Sequence, residues 1–428
     1  MAKIDQSYII IEQDNDLSDN LNQYDDKLDE QFDNREKKLN YWKNIPQCEQ
    51  KSIEWIKQRS QFIGGSEAGC LVDENPYEPY YKLIVKKLIN VPFLNFSNVY
   101  IGNKYEDIAI MLYEYLKNVK IDSYGFLPHL TIPFVGASPD GITNSYKYNG
   151  INKSNKNGRL VEIKCAVTRK INMKLDAKLL EIVPRYYYPQ VQQQMETCDL
   201  DETDFWQIKI IEYDNFIEFK KDTSDKYPFK SKDNKFKGAI IQILPIDKFE
   251  GLDLNKPEIK QKIYANAKFI MPPNITLSPN ETKQWIIDVR KQRIPKDEKL
   301  KNNYKIKLGF TFHKAFYWKV DHGRCTLVKR DKIWFNNKMP LYQKTWNYIT
   351  FLRDHEEHKR IFLNIVNQYE NGYWKIQKSR INEALLNVLD TLYNKDINSK
   401  EIKELITNYE LNKKLTEDDI FGICICNE

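Results

Sequence analysis

The chain has 428 residues, of which 41% are hydrophobic, and a formal net charge of +6. That is enough apolar surface for one large core or two smaller ones. No apolar run approaches the ~20 residues of a membrane-spanning helix and no secretory leader opens the chain, so no membrane partner is expected. Seven cysteines are scattered without a disulfide or zinc framework, which points to an intracellular, reducing compartment.

Charge is distributed unevenly. Residues 1–50 hold 12 acids against 6 Lys and Arg, a net of −6, which leaves +12 on the remainder. A basic body suits a polyanionic partner such as DNA. The acidic lead, residues 1–48, is expected to be solvated and partly disordered.

In chain order, Ile63-Gly64-Gly65-Ser66-Glu67 reads as a turn into a helix over 66–90, with Ser66 as N-cap and Glu67 in the first turn. Such a start presents N–H groups to an anion, and Arg59 just upstream offers a bidentate fork suited to phosphate. Over 104–117, Ile108, Met111, Leu112 and Tyr115 recur at helical spacing, with Glu106 in the first turn. A strand is expected over 130–136. Pro139-Asp140-Gly141 then makes a turn, because proline fixes φ and glycine permits a tight bend.

Residues 143–158 are rich in Asn, Lys, Ser and Gly and read as a loop insertion. The strand over 159–165 follows. Its alternation sends Glu162 and Lys164 to one face while Val161, Ile163 and Cys165 pack on the other. A helix over 187–198 carries Gln190 and Gln192. Further strands are expected over 205–213, 215–220, 236–246 and 263–271, with a polar loop over 221–235 and a charged helix plus linker over 280–299. Phe316–Val320 and Cys325–Arg330 read as a hairpin, and Leu341–Leu411 as three helices. Trp318, Trp334, Phe335 and Trp346 are expected mainly as core, although aromatics interleaved with Lys and Arg can also stack on unpaired bases. His355 and His358 read as solvent-facing, and Cys424 and Cys426 as a tail, with no metal site in either pair.

The chemistry concentrates at Asp140, Glu162 and Lys164. Two carboxylates supply hard oxygen ligands for Mg²⁺ or Mn²⁺, and an adjacent ammonium can steady charge developing on phosphorus. This is the wiring of a metal-dependent phosphodiesterase.

The blocks around these residues carry a resemblance. Arg59-Ser60-Gln61-Phe62-Ile63-Gly64-Gly65-Ser66-Glu67, then Asn75-Pro76-Tyr77, Gly102-Asn103-Lys104-Tyr105-Glu106-Asp107, Ala137-Ser138-Pro139-Asp140-Gly141, Glu162-Ile163-Lys164 and Tyr188-Pro189-Gln190-Val191-Gln192 occur in that order. Over residues 50–220 the chain resembles the YqaJ-like viral recombinase nucleases, relatives of the lambda phage exonuclease in the PD-(D/E)xK superfamily. The resemblance implies that Asp140, Glu162 and Glu106 bind the metal, that Lys164 is the motif lysine, and that Gln190, with Gln192 beside it, supports the site. It further implies that Arg59 and Ser66 hold the 5′-phosphate of a DNA end. Asp140 and Glu162 stand 22 positions apart, a longer spacing than is usual in the family, and the insertion at 143–158 accounts for it.

The expected fold is therefore α/β: a PD-(D/E)xK, restriction-endonuclease-like core with a mixed central sheet flanked by helices over 49–300, and an α+β to mostly helical extension over 301–428. The expected function is a Mg²⁺- or Mn²⁺-dependent DNA exonuclease that resects linear duplex ends in viral recombination or repair. The alternatives are a structure-specific endonuclease on the same fold, or a catalytically silent DNA-end-binding protein. A single-strand-annealing recombinase is the partner that the resemblance implies, and a homo-oligomer is compatible with it. High Lys, Asn, Ile and Tyr usage points to an AT-rich genome such as that of a large DNA virus.

Overall fold

A computed structural model of the chain describes residues 9–11, 26–89, 97–173, 183–291, 309–371 and 378–409. The elements up to the site motif are β1 (Ile9–Ile11), α1 (Asp26–Asn44), α2 (Ile53–Ser60), β2 (Ile63–Gly64), α3 (Ala68–Leu71), α4 (Tyr80–Leu88), α5 (Ser97–Lys117), β3 (Ile121–Asp122), β4 (Leu127–Pro128), β5 (Val135–Ala137), β6 (Gly141–Thr143) and β7 (Leu160–Cys165). The second half continues with α6 (Tyr188–Cys198), β8 (Glu202–Tyr213), α7 (Phe216–Lys221), β9 (Lys237–Pro245), α8 (Ile246–Phe249), α9 (Ile259–Asn266), β10 (Lys268–Ile270), α10 (Pro279–Arg290), β11 (Phe310–Lys329), α11 (Lys332–Asp354), α12 (Glu356–Glu370), α13 (Lys378–Asn394) and α14 (Lys400–Asn408).

The central sheet runs in the order β10-β9-β11-β8-β7-β6-β3, with β1 added alongside β11. It is mixed: β7 pairs with β8 in parallel and β1 with β11 in parallel, while the other pairs are antiparallel. The period-two pattern of β7 decides which residues face which layer. Val161 and Ile163 pack towards α5, against Tyr105, Ile108 and Leu112. Leu160 packs on the opposite layer with Val191 and Met195 of α6 and with Leu39 and Trp42 of α1. The α/β core flanked by helices on both faces is thus the architecture expected from the sequence. A third core joins α4 to α11, α12, α13 and α14 and makes up the helical C-terminal section.

Several local expectations are corrected. The hairpin expected around 316–330 is one strand, β11, whose first half pairs with β9 and whose second half pairs with β8. Asp321-His322-Gly323 resembles a turn, but the chain passes through with a register shift between Val320 and His322. Gly323 sits close to its neighbours, since a Cβ there would lie 3.0 Å from the Gln207 carbonyl oxygen and 3.1 Å from the Trp206 ring. Residues 310–329 therefore belong to the central sheet, and the core does not end at 300. The helical extension begins at Lys332.

The run expected as a strand over 215–220 is α7, since the Asn215 side chain caps it by accepting from the N–H groups of Ile217 and Glu218. The strand expected over 263–271 is α9 followed by the short β10. The helix expected over 66–90 is broken into a 3-10 turn at Gly65–Glu67, α3 and α4. Pro76 and Pro79 fall in the gap, where proline disfavours continued helix. Of the strand expected over 130–136 only the end is strand, in β5, with β4 lying just before the expected run, and four helices, not three, make up the section from Lys332 among the described residues. Residues 292–300 of the expected linker lie outside the described residues, as do Cys424 and Cys426.

The acidic lead is also corrected where it is described. β1 is hydrogen-bonded into the sheet, and α1 is docked on the core. Trp42 is 1% exposed and donates from Nε1 to the Cys198 carbonyl at 3.0 Å, while Lys38 pairs with Asp199 at 2.8 Å. The insertion at 143–158 is a hairpin laid against the same helix. Ser145 Oγ donates to Glu36 at 3.0 Å, Asn157 Nδ2 to the Phe32 carbonyl at 3.1 Å, and Arg35 to the Asn155 carbonyl at 3.2 Å.

Replacing Ser145–Asn157 by a short Gly-Ser turn is therefore expected to loosen α1 by about 2 kcal/mol, the worth of a few part-exposed hydrogen bonds. The check is faster limited proteolysis within 26–44, with DNA hydrolysis retained. Loss of all hydrolysis in a folded deletion protein would assign the hairpin to DNA binding instead.

Candidate active site

Asp140 and Glu162 meet because β6 and β7 pair side by side, with Gly141 opposite Val161. Gly141 allows this close approach, since a Cβ there would stand 2.3 Å from an Ile121 methyl and force that side chain to move. The Ser138-Pro139-Asp140 turn is held from the N-terminal side. Gln50 Nε2 donates to the Pro139 carbonyl at 3.1 Å, and Trp55 Nε1 to Ser138 Oγ at 3.0 Å. The Ile163 N–H donates to Asp140 Oδ2 at 2.7 Å.

Glu162 is 1% exposed and is surrounded by donors. Its Oε1 accepts from Lys164 Nζ at 2.5 Å and from Gln190 Nε2 at 2.6 Å, and its Oε2 accepts from Gln194 Nε2 at 2.6 Å. A buried carboxylate needs such satisfaction, because an unpaired charge in a dry site costs several kcal/mol. Lys164 also lies 4.6 Å from the centroid of the Tyr187 ring. Burial works against its ammonium, but Glu162, Tyr187 and Asp140 hold its pKa above the ordinary lysine value.

Glu106 reaches the same end of the sheet from α5. Its carboxylate pairs with Lys51 at 3.3 Å, and Lys51 also donates to Asn103 Oδ1 at 2.8 Å. Lys51 has φ +68°, a left-handed backbone that costs a non-glycine residue about 1–2 kcal/mol. Asp140 carries the clearest electrostatic signature. Burial, then the negative charges of Glu162 and Glu106, push its carboxyl well above the ordinary value, and Lys164 and the Ile163 N–H do not cancel them.

Among the described residues, no three His, Cys, Asp or Glu side chains already stand as a metal cage. The donor set nevertheless suits a hard cation. Three carboxylates from three elements converge closely enough for Glu162 and Glu106 to raise the pKa of Asp140, and such an excess of negative charge is what a divalent ion neutralises.

Arg59 and Ser66 stand beside this centre. The Arg59 guanidinium donates to Ser66 Oγ and lies 5.0 Å from the centroid of the Trp55 ring, so Trp55 links it to the Ser138–Asp140 turn. Ser66 is not an N-cap. Gly64 holds that position, and Glu67 reaches back to accept from its N–H at 2.7 Å. The turn and α3 together are short, so an anion placed here would meet the Arg59 and Ser66 side chains and not a developed helix dipole. Burial opposes ionisation of Glu67, but Lys87 and Arg59 hold its carboxyl below the ordinary value.

Gln190 thus joins Glu162, whereas Gln192 points away and binds the Lys329 carbonyl at 2.9 Å. Three side chains at the site went unread in the sequence: Gln194, Lys51 and Tyr187. Gln194 had a signal, since it lies one helical turn beyond Gln190 and shares its face. Lys51 had none, because its partners are 52 and 55 positions away. His355 and His358 are ring neighbours, their centroids 5.6 Å apart, and Trp318 and Phe335 are core.

The site thus joins an acid in the turn before β6 to an acid on the neighbouring β7 and a lysine two residues after it, within an α/β core. Residues 54–201 match the model of the YqaJ-like viral recombinase domain. The chain is 36% identical over 356 residues to an uncharacterized protein of Acanthamoeba polyphaga mimivirus, with 83% of this chain and 62% of that protein covered. It thus spans less than two thirds of that relative's length, and the mimiviral source accords with an origin in a large DNA virus. Among solved structures the chain is similar to LHK-Exo in complex with dAMP, at 14% identity, 72% of this chain, 97% of that chain and a TM-score of 0.36. It is also similar to the alkaline exonuclease LHK-Exo from Laribacter hongkongensis, at 22% identity, 37% of this chain, 74% of that chain and a TM-score of 0.30.

Proposed function

We propose that the chain is a divalent-cation-dependent deoxyribonuclease that shortens linear duplex DNA from its ends, preferring a 5′-phosphate, during recombination. The observation that carries this reading is the convergence of Asp140, Glu162 and Lys164 on paired strands inside a YqaJ-like domain. Asp140 and Glu162, with Glu106, would hold Mg²⁺ or Mn²⁺. When bound, the ion would polarise the scissile phosphate and acidify a water.

The chain's own groups divide the remaining work. Lys164 offers an ammonium to the charge that develops on phosphorus. Gln190 and Gln194 fix the Glu162 carboxylate, so that it is oriented before substrate arrives. Arg59 and Ser66 grip the terminal phosphate and so set the distance from the end to the scissile bond. The single strand left behind is a substrate for a single-strand-annealing recombinase.

The test is digestion of three DNAs with Mg²⁺ and with EDTA: a linear duplex with 5′-phosphate ends, the same duplex with 5′-hydroxyl ends, and a covalently closed circle. Nucleotide should be released from both linear forms in Mg²⁺, faster from the phosphorylated one, with circles intact and EDTA abolishing the reaction. Cut circles would favour the endonuclease. Absence of hydrolysis with Mg²⁺ and Mn²⁺ alike would leave an end-binding protein.

A further inference from the structure

We infer that a groove between the start of α6 and α11 binds the unpaired DNA strand beside the site, an inference that rests on the nuclease reading for its substrate class. The groove has a volume of about 260 Å³, close to the ~300 Å³ lower limit of ligand pockets and suited to one planar ring system. Tyr188 and Trp334 supply its aromatic walls, Arg185 and Lys338 its positive charge, and Glu74 one opposing acid. The two rings meet edge to face, with centroids 5.5 Å apart and planes at 86°, so one ring of the pair keeps its faces clear of the other.

Aromatic faces beside cations are what single-stranded nucleic acid uses: bases stack whatever their identity, and the cations follow the backbone. Most aromatics that line a helix are core, as Trp318 and Phe335 are. Tyr188 and Trp334 differ in being only half-buried, on an open cavity with exposed Arg185 at its edge.

Continuity with the site is the second observation. Residues 185–190 carry the groove on one side and Gln190, the hydrogen-bond partner of Glu162, on the other. Between them Tyr187 lies under Lys164, 4.6 Å from its ammonium, and 5.7 Å from the Arg169 guanidinium. Tyr186 continues the row at 4.3 Å from Tyr187 and 5.5 Å from Tyr77, and Tyr77 is exposed. A strand leaving the reacting phosphate would pass the Tyr187 and Tyr186 rings with Lys164 and Arg169 beside them, and Tyr188 of the groove follows next in the chain. The groove would keep the strand that is not cut from re-pairing.

The test uses the intact chain in EDTA, so that no hydrolysis is needed, and a fluorescent oligo-dT of about 12 nucleotides, within the site sizes of single-strand binders. Anisotropy titrations compare the wild type with Arg185→Glu/Lys338→Glu, two changes at the groove edge. Affinity should fall roughly tenfold or more, and the slope of log K against log salt should become shallower by about 1.4, at about 0.7 for each phosphate that is no longer neutralised. Photo-crosslinking of 5-iodouracil in the same oligonucleotide to the wild type should map to Tyr188 or Trp334, which decides the matter even if the double variant does not fold. Unchanged affinity and slope in a folded double variant, or crosslinks confined to other surfaces, would overturn the inference. Hydrolysis of a phosphorylated duplex by the wild type in Mg²⁺ separates the two claims. If the groove fails while hydrolysis persists, the nuclease reading stands without it; if the groove binds and no hydrolysis occurs, only the nuclease reading is lost.

Discussion

On the proposed function, Asp140→Asn and Glu162→Gln are each expected to lower cation-dependent hydrolysis of linear duplex DNA by at least about 10³-fold, because each removes a charged oxygen from the proposed cation site. The two variants should part in stability. Ionised Asp140 is disfavoured by burial and by Glu162 and Glu106, so at neutral pH, above the unfolded pKa, its charge destabilises the folded chain. The amide of Asp140→Asn carries no such charge, and Tm in EDTA should rise. Glu162 instead satisfies Lys164, Gln190 and Gln194. Glu162→Gln replaces that acceptor with an amide and should cost about 1–3 kcal/mol.

Cation addition should raise the Tm of the wild type and not of Asp140→Asn, since only a ligand that prefers the folded state stabilises it. Duplex binding in EDTA should change little in either variant. Retained turnover in either one would remove these residues from the chemistry.

Arg59→Ala should lower the rate on 5′-phosphorylated ends by roughly 100-fold, the scale of a misplaced substrate, and bring it towards the rate on 5′-hydroxyl ends. The dependence on cation should stay as it is, because Arg59 interacts with Ser66, Trp55 and Glu67 and with none of Asp140, Glu162 and Glu106. A competition of the two end types at equal concentration reads the preference directly. Equal digestion of both ends by the wild type, or a full preference in Arg59→Ala, would remove the phosphate anchor.

What could be read from the sequence was what short-range patterning controls. The alternation in Leu160–Cys165 separates Val161 and Ile163 from Glu162, and the two layers of core on either side of β7 follow it. The helix that carries Glu106 shows in its apolar spacing, and the Asp140 turn in its Pro-Asp-Gly. Less legible were features that depend on distant partners. Phe216–Lys221 has the residues of a strand, yet one Asn215 cap and the burial of Phe219 make it helix. The acidic composition of residues 26–44 conceals a helix because its docking rests on a few side chains, and the partners of Trp42 and Lys38 lie 156 and 161 positions onward. Gln50 and Trp55 shape the Asp140 turn over 89 and 83 positions, beyond the reach of any local pattern.

The passage of β11 between β8 and β9 governs how the molecule comes to be made. Until residues 310–329 leave the ribosome, β8 and β9 each present an open edge of unpaired N–H and C=O groups, an invitation to pair with other chains. β8 is the strand on which β7 lies, so the platform under Glu162 and Lys164 is completed by a segment synthesised well after the motif itself. Pairings of this span are slow to close. A fragment ending near residue 300 would contain Asp140, Glu162 and Glu106 and still lack the strand that joins the two halves of the sheet, so the surroundings of these acids are completed only when most of the chain exists.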